Sequence, residues 1–424
     1  MMLNIPLGKR IALIASMFLI TSTFGFLQPF VPLYLQASGL TLGQIGLLLG
    51  ISTGMALLLQ PVLGRLSDRF DSRRPMMCGA AIAAGCAYLT YRSAHSFLAF
   101  TLISAIGING TIYLNAAGGV LIGRMAAGSG RGGAAYAGYR VWGSVGYILV
   151  SLLTGWLLQH NLKPGVALDR TLIDPVFTYG PLLFFAIAGV VLFVPDFKAV
   201  RADSTSSSLD KTRTEIANTR ALTPFLLALF FYNFSLYGAS AYLSPYMKSF
   251  GASPLLITGM FAGGVVCEVL VMTWVGRLTD TWGRRPALAV TFLLLPVRLL
   301  LYALAVNPLQ VALIQMLHGI NFGIMGTISV VFINDTAAEH ERGAAQARLA
   351  AVQGLATAFG PGTCGLIAQV GGIRAMFFTM TGFAILAASL FLLRVRESHP
   401  SSRSLVREGY TPLRPLWRLL EGRE

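Results

Sequence analysis

Gly64-Arg65-Leu66-Ser67-Asp68-Arg69-Phe70-Asp71-Ser72-Arg73-Arg74-Pro75 recurs later in the chain as Gly276-Arg277-Leu278-Thr279-Asp280-Thr281-Trp282-Gly283-Arg284-Arg285-Pro286. The two stretches belong to a longer register: Gly39 with Gly251, Ile45 with Ile257 and Asp68 with Asp280 are each separated by half the chain length. After the aspartate the offset falls by one, with Arg74 on Arg285 and Pro75 on Pro286, because Asp71-Ser72 stands where the second copy has the single Gly283. A constant offset of half the 424 residues means a duplicated unit.

Each copy lies between two long apolar runs. About 20 apolar residues cross a hydrocarbon core as a helix. Twelve such runs are predicted, at 11–36, 43–63, 75–94, 97–122, 136–159 and 177–194, then 221–247, 254–275, 286–305, 309–334, 346–370 and 374–394. Period-two alternation is absent, which excludes a β-barrel, and a backbone in lipid must satisfy its own hydrogen bonds, which leaves helices. The first run follows Lys9-Arg10 and is too long for a signal peptide, so it is expected to be retained. The expected fold is an all-α polytopic membrane protein of twelve transmembrane helices in two six-helix bundles. Its expected parts are an N-terminal bundle over 1–194, a Ser-rich cytoplasmic linker over 195–220, a C-terminal bundle over 221–394 and a basic tail over 395–424.

The composition agrees. Hydrophobic residues make up 55% and charged residues 12%, against about 25% charged in a soluble domain. The net charge of +15 needs no nucleic acid to explain it. With both termini cytoplasmic, 25 of the 32 Lys and Arg fall on the cytoplasmic side, and only Arg92, Lys163, Arg170, Lys248 and Arg374 on the other. That is the positive-inside pattern for an even number of spans. Cys78, Cys86, Cys267 and Cys364 sit in apolar runs without a CxxC pair and read as small core residues. No metal or cofactor is expected.

The repeated pattern Gly-x-Leu-[Ser/Thr]-Asp-x-aromatic-Gly-Arg-Arg-Pro resembles the loop signature of the major facilitator superfamily, over essentially residues 10–395. Its elements are candidates for a conformational latch. Gly64 and Gly276 are expected to end a helix and admit a neighbour closely, and Asp68 and Asp280 to meet cations or a helix N-terminus. Arg69, Arg73, Arg74, Arg284 and Arg285 supply charge, and Asp335 at the end of span ten is expected to pair with Arg285. The Asp71-Ser72 departure alters the first copy.

A charged group at mid-bilayer costs about 2.5–3.5 kcal/mol on the insertion scale. Arg140, Glu268, Arg298 and His318 therefore ask for a reason. Glu268 lies about 12 Å from the membrane edge at Gly276, and His318 is also near the midplane. A membrane carboxylate and a histidine are natural proton carriers, and the Arg140 fork holds a carboxylate or a hydroxyl. Arg298 either lines the cavity or snorkels outward. The settings Tyr139-Arg140-Val141-Trp142-Gly143, Val266-Cys267-Glu268-Val269 and Leu317-His318-Gly319-Ile320-Asn321 look like helices of the proton-coupled symporters for phenylpropionate, nucleosides and oligosaccharides. That resemblance implies proton coupling at Glu268 and His318, with Arg140 in coupling or substrate binding. It also implies a cavity between spans one, four, seven and ten. Gln28, Asn109, Tyr113, Asn115, Tyr232, Asn233, Tyr237 and Asn321 are the polar candidates for its lining, beside Arg298.

These readings converge on a secondary active transporter, monomeric in the bilayer, not an enzyme, moving a small organic solute with protons. The composition suits a bacterial inner membrane. Uptake by symport is favoured, because the Gly-Pro-x-x-Gly-Gly signature of the drug-efflux branch is missing from span five. Proton antiport of drug-like or sugar-like compounds and a passive facilitator of the same fold stay open. A nucleotide-driven pump lacks its GxxxxGK[ST] loop, and an intramembrane enzyme lacks a clustered acid–base constellation.

Overall fold

The computed structural model describes residues 7–69, 72–127, 132–162, 168–194 and 211–398; the side chains of Asp68 and of residues 124–127, 132–137, 211–221, 276–281 and 339 are outside this description. The described residues form helices and no strands. Ten described helices or broken helices are long and apolar enough to cross a membrane; Arg342–Arg394 holds two of the twelve expected spans, and the third, Arg74–Leu89, is shorter at 16 residues. Spans one, four, five, eight and nine are single helices: Leu7–Ala37, Phe97–Ala127, Gly132–Asn161, Pro254–Trp282 and Arg284–Leu304. The third is Arg74–Leu89 extended by the 3-10 turn Thr90–Ser93. The eleventh and twelfth share Arg342–Arg394, which turns back at Gly372, whose φ of 82° is open to glycine but strained for other residues.

The remaining spans are broken helices, which hydropathy alone does not disclose. The second divides into Leu42–Gly54 and Ala56–Arg69, the sixth into Arg170–Tyr179 and Leu182–Val191, and the seventh into Lys211–Ser240 and Leu243–Ser249. The tenth divides into Pro308–Gln315 and His318–Thr336. Pro181 and Pro245 remove a ladder donor at two of these breaks. In the tenth span the ladder tightens to i→i+3 bonds, Leu317 N to Ile314 O at 3.1 Å and Gly319 N to Met316 O at 3.2 Å, immediately around His318. The helix of the seventh span begins at Lys211, inside the stretch expected to be linker. Residues 195–210 and 399–424, with most of the expected linker and tail, lie outside the described residues.

Two local expectations are corrected. Gly64 and Gly276 do not end their helices, which run on to Arg69 and Trp282. A Cβ on Gly64 would meet nothing within 4 Å, so it is not a close-packing site either. The glycine that turns the chain here is Gly283, with φ 94° at the start of span nine. Cys86 is exposed rather than part of the core, whereas Cys364 is buried.

The two halves meet at the end opposite the repeated loops. Span two packs along span eleven, and span five along span eight. Small residues bring the backbones close. A Cβ on Gly46 would fall 2.2 Å from Pro361 O, one on Gly50 2.4 Å from Ala358 O, and one on Gly155 3.0 Å from Pro254 O. Thr53 Oγ1 donates to Thr357 O (2.8 Å) and Ser151 Oγ to Thr258 O (3.3 Å) across the same seams. The hydrogen bonds between halves described here all join span two to the C-terminal half or span five to span eight.

Candidate functional site

The antiparallel run of spans five and eight brings the first two intramembrane charges together. From the Ser151–Thr258 bond, Arg140 lies eleven residues back along span five and Glu268 ten residues forward along span eight. At about 1.5 Å per residue both sit about 15–17 Å from that bond, hence at nearly one depth. Glu268 is half-buried, Arg140 is exposed, and the two charges interact across the halves. The Glu268 carboxylate makes no hydrogen bond among the described residues. The hydroxyls of Tyr147 and Tyr237 also lie within its electrostatic reach. Tyr147 donates to Gln28 Oε1 at 2.9 Å, so Gln28 of span one joins the group.

Span ten fixes the Glu268 backbone. Gly319 packs against it so closely that a Cβ there would lie 2.5 Å from Glu268 N and 2.4 Å from Cys267 C. His318, next in sequence, points away into a second polar cluster. Its ring stacks on Phe322 at 4.0 Å, and Phe322 meets Tyr237 edge-on at 5.7 Å. An aromatic bridge therefore separates His318 from the Glu268 group.

Arg298 is the centre of that second cluster, and it does not snorkel. It is 1% exposed. Its Nη2 donates to Gln315 Oε1 (2.7 Å) and to His318 Nδ1 (3.3 Å), its Nη1 to Asn321 Oδ1 (3.4 Å) and its Nε to the Tyr302 hydroxyl (3.2 Å). Tyr302 donates in turn to Gln315 Oε1. Asn321 Nδ2 donates to the Tyr232 hydroxyl (3.1 Å) and Thr291 O (3.2 Å). A guanidinium has no lone pair to offer, so His318 Nδ1 is the acceptor and the imidazole is neutral here. No carboxylate pairs with Arg298 among the described residues; neutral acceptors hold its charge.

The remaining predicted lining residues divide. Asn115 is exposed. Asn109 is buried and ties span four to span two, its Nδ2 donating to Ser52 O (2.9 Å) beside the break in that helix and to Ala105 O (2.8 Å). Tyr113 and Asn233 are buried, with the Tyr113 hydroxyl and Asn233 Nδ2 lacking a hydrogen-bond partner among the described residues. Sequence reasoning misses Tyr147, Tyr302 and Gln315. Gln315 is visible as a polar residue in an apolar run, and Tyr147 lies two helical turns after Arg140. Among the described residues no group of three or more metal-ligating side chains comes together.

At the loop end the expected pair is corrected. Asp335 meets Arg284 (Nε–Oδ2 3.3 Å), not Arg285. Neighbouring residues on a helix point about 100° apart. Arg285 thus faces span twelve and donates to Val395 O (2.8 Å) and Leu392 O (2.9 Å). Arg74 makes the corresponding contact in the first half, Nε to Val194 O at 2.9 Å. Glu397 accepts from Arg284 N (3.1 Å) and Arg285 N (3.0 Å), capping the helix that Gly283 leaves without a side-chain cap. Arg69 is exposed and Arg73 half-buried; the Asp68 and Asp280 side chains lie outside the described residues.

Residues 11–379 match the model of the MFS_1 like family. The chain belongs to this family. It is an integral, multi-pass membrane transporter with the major facilitator fold. A lactose permease of Klebsiella oxytoca is 26% identical over 337 residues, covering 72% of this chain and 74% of the permease. A multi-drug resistance efflux pump PmrA homolog of Lactococcus lactis is 23% identical over 316 residues, covering 73% and 75%. Among solved structures, a mutant form of the nucleoside transporter NupG superimposes with a TM-score of 0.73 at 16% identity, covering 91% of this chain and all of that one. At that identity the likeness shows the fold. Family membership puts the duplicated halves, the loops and the intramembrane charges of this chain in the setting of membrane transport.

Proposed function

We propose that this MFS_1 like transporter moves a small polar organic solute in symport with protons, and that Glu268 carries the proton. The observation behind this reading is the Glu268 carboxylate itself: half-buried, free of hydrogen bonds among the described residues, and level with Arg140 of the other half. An ionised carboxylate in such a place is costly unless paired or protonated. In one state Arg140 pairs with it across the halves; in the other a proton neutralises it and frees Arg140 for the solute. His318 takes a proton only once Arg298 leaves its Nδ1. Gln28, Tyr147, Tyr237 and Asn115 offer donors and acceptors suited to hydroxyl groups, in keeping with the permease named among the relatives. The solute is taken up, with both termini cytoplasmic in a bacterial inner membrane, as the 25-to-5 distribution of basic residues supports. The repeated loops act as latches at the cytoplasmic end, and the chain works as a monomer.

The test is internal pH in proteoliposomes of known orientation loaded with pyranine, with sugars, nucleosides, aromatic acids and lipophilic drugs added outside. Acidification with one solute class is expected. Alkalinisation would assign antiport instead, the activity class of the efflux-pump relative. Glu268→Gln is expected to lose proton-driven accumulation while keeping solute exchange; full accumulation by that variant would remove Glu268 from the role.

A further inference from the structure

The duplication contains a second repeated element, away from the loops. Gly155-Trp156-Leu157-Leu158-Gln159 in span five and Gly365-Leu366-Ile367-Ala368-Gln369 in span eleven both read Gly-x-x-x-Gln, one in each half and close to the offset of the duplication. Residues i and i+4 share a helix face. In both copies that face lies on the second span of the opposite half. A Cβ on Gly155 would fall 3.0 Å from Pro254 O, and one on Gly365 2.6 Å from Leu42 O. Pro254 and Leu42 are themselves equivalent positions of the two repeats, separated by half the chain.

One turn further along, each glutamine reaches the start of that facing helix. Gln369 Oε1 accepts from Gly43 N (3.0 Å) and from Thr41 Oγ1 (3.0 Å). Gln159 Oε1 accepts from Leu255 N (3.3 Å). Gly43 and Leu255 are again equivalent positions under the same offset. The first amide groups of a helix have no partner within it. Here two of them are satisfied by the other half of the molecule. Beside the Gln369 contact, the buried Tyr242 hydroxyl lies 3.1 Å from Leu42 O and 2.9 Å from Pro361 O, linking the same two halves.

We propose that Gln159 and Gln369 are paired clasps: each caps the second span of the opposite half, and together they hold this end of the transport path shut. The glycine permits the close approach, and the glutamine four residues on makes closure specific, because its acceptor oxygen meets donors that are free only at a helix start. Opening this end breaks both caps at once, since pseudo-symmetry places them on the two seams between the halves. The clasps rest on the reading that the halves alternate, but not on proton coupling or on any choice of solute.

The experiment is a distance measurement by pulsed electron paramagnetic resonance. Spin labels are placed at Asn161 in the first half and Val370 in the second, with Cys78, Cys86, Cys267 and Cys364 replaced. No solute or proton gradient is applied, so failure of the coupling assay leaves this result standing. Gln159→Leu and Gln369→Leu remove the acceptor. The long-distance, open population is expected to rise about 2–12-fold for each hydrogen bond lost, and further in the double variant. Gln159→Glu and Gln369→Glu keep an acceptor oxygen at a helix N-terminus, where a carboxylate is favoured, and are expected to stay closed. Unchanged distances in the leucine variants would overturn the proposal. So would an equal opening in the glutamate variants, which would mark a general loss of packing.

Discussion

Gln315→Leu tests how the buried Arg298 charge is maintained. The substitution nearly conserves volume, so packing loss is small. It removes the acceptor of the shortest Arg298 contact, 2.7 Å from Nη2, and of the Tyr302 hydroxyl. A hydrogen bond to a charged group contributes about 1.5–3 kcal/mol and a neutral one about 0.5–1.5 kcal/mol. With Arg298 1% exposed and unable to recover water, removing both bonds gives a cost of about 2–4.5 kcal/mol. The remaining acceptors, the Tyr302 hydroxyl, His318 Nδ1 and Asn321 Oδ1 at 3.2, 3.3 and 3.4 Å, are too long to replace what is lost. Reversible unfolding of the purified protein in mixed micelles, titrated with a denaturing detergent, reads this directly. Gln315→Glu is the control: it retains the acceptor and adds a counter-charge, and is expected to lose less than half as much. A Gln315→Leu variant within about 0.5 kcal/mol of wild type, the lower bound for a single neutral bond, would refute the argument. It would mean that water or a rearranged Asn321 holds the guanidinium.

Glu397→Ala removes the cap on span nine, a loss of about 0.5–2 kcal/mol; hydrogen exchange of the Arg284 and Arg285 amides should accelerate about 2–30-fold, and unchanged exchange would argue against the cap. Asn109→Ala releases Ser52 O beside the break in span two and should cost about 0.6–1.7 kcal/mol in the same micelle titration, as interhelical hydrogen bonds in membranes do; no loss would mean that the bond to Ala105 O merely turns the side chain back on its own helix. Arg284→Ala should cost more stability in the wild-type background than in the Asp335→Ala background, because the charge pair can be lost only once; an additive cycle would show that the pair contributes nothing, as many partly exposed pairs do. Glu268→Gln, assayed by pyranine, remains the measurement on which the coupling scheme depends.

The path of the chain was legible in the sequence because insertion into a bilayer is decided segment by segment. Each apolar run carries its own transfer free energy, so twelve crossings, the duplication and the asymmetry of basic residues can be read without knowing any contact. The four charges in the spans were visible for the same reason: Arg140, Glu268, Arg298 and His318 are expensive wherever they face. Only the tertiary structure decided what each one faces. Rotation and depth of neighbouring helices leave Glu268 beside Arg140 but seal Arg298 among Gln315, Tyr302, Asn321 and His318. They give Asp335 to Arg284 rather than to Arg285, one residue on. The breaks in spans two and ten arise where a side chain or a tightened ladder competes with the helix, and hydropathy is blind to that competition. The repeated Gly-x-x-x-Gln stood in the sequence throughout, yet glycine and glutamine carry no transfer signal of their own. Their meaning comes from a second helix arriving from the other half of the chain, a relation that packing supplies and a one-dimensional pattern does not.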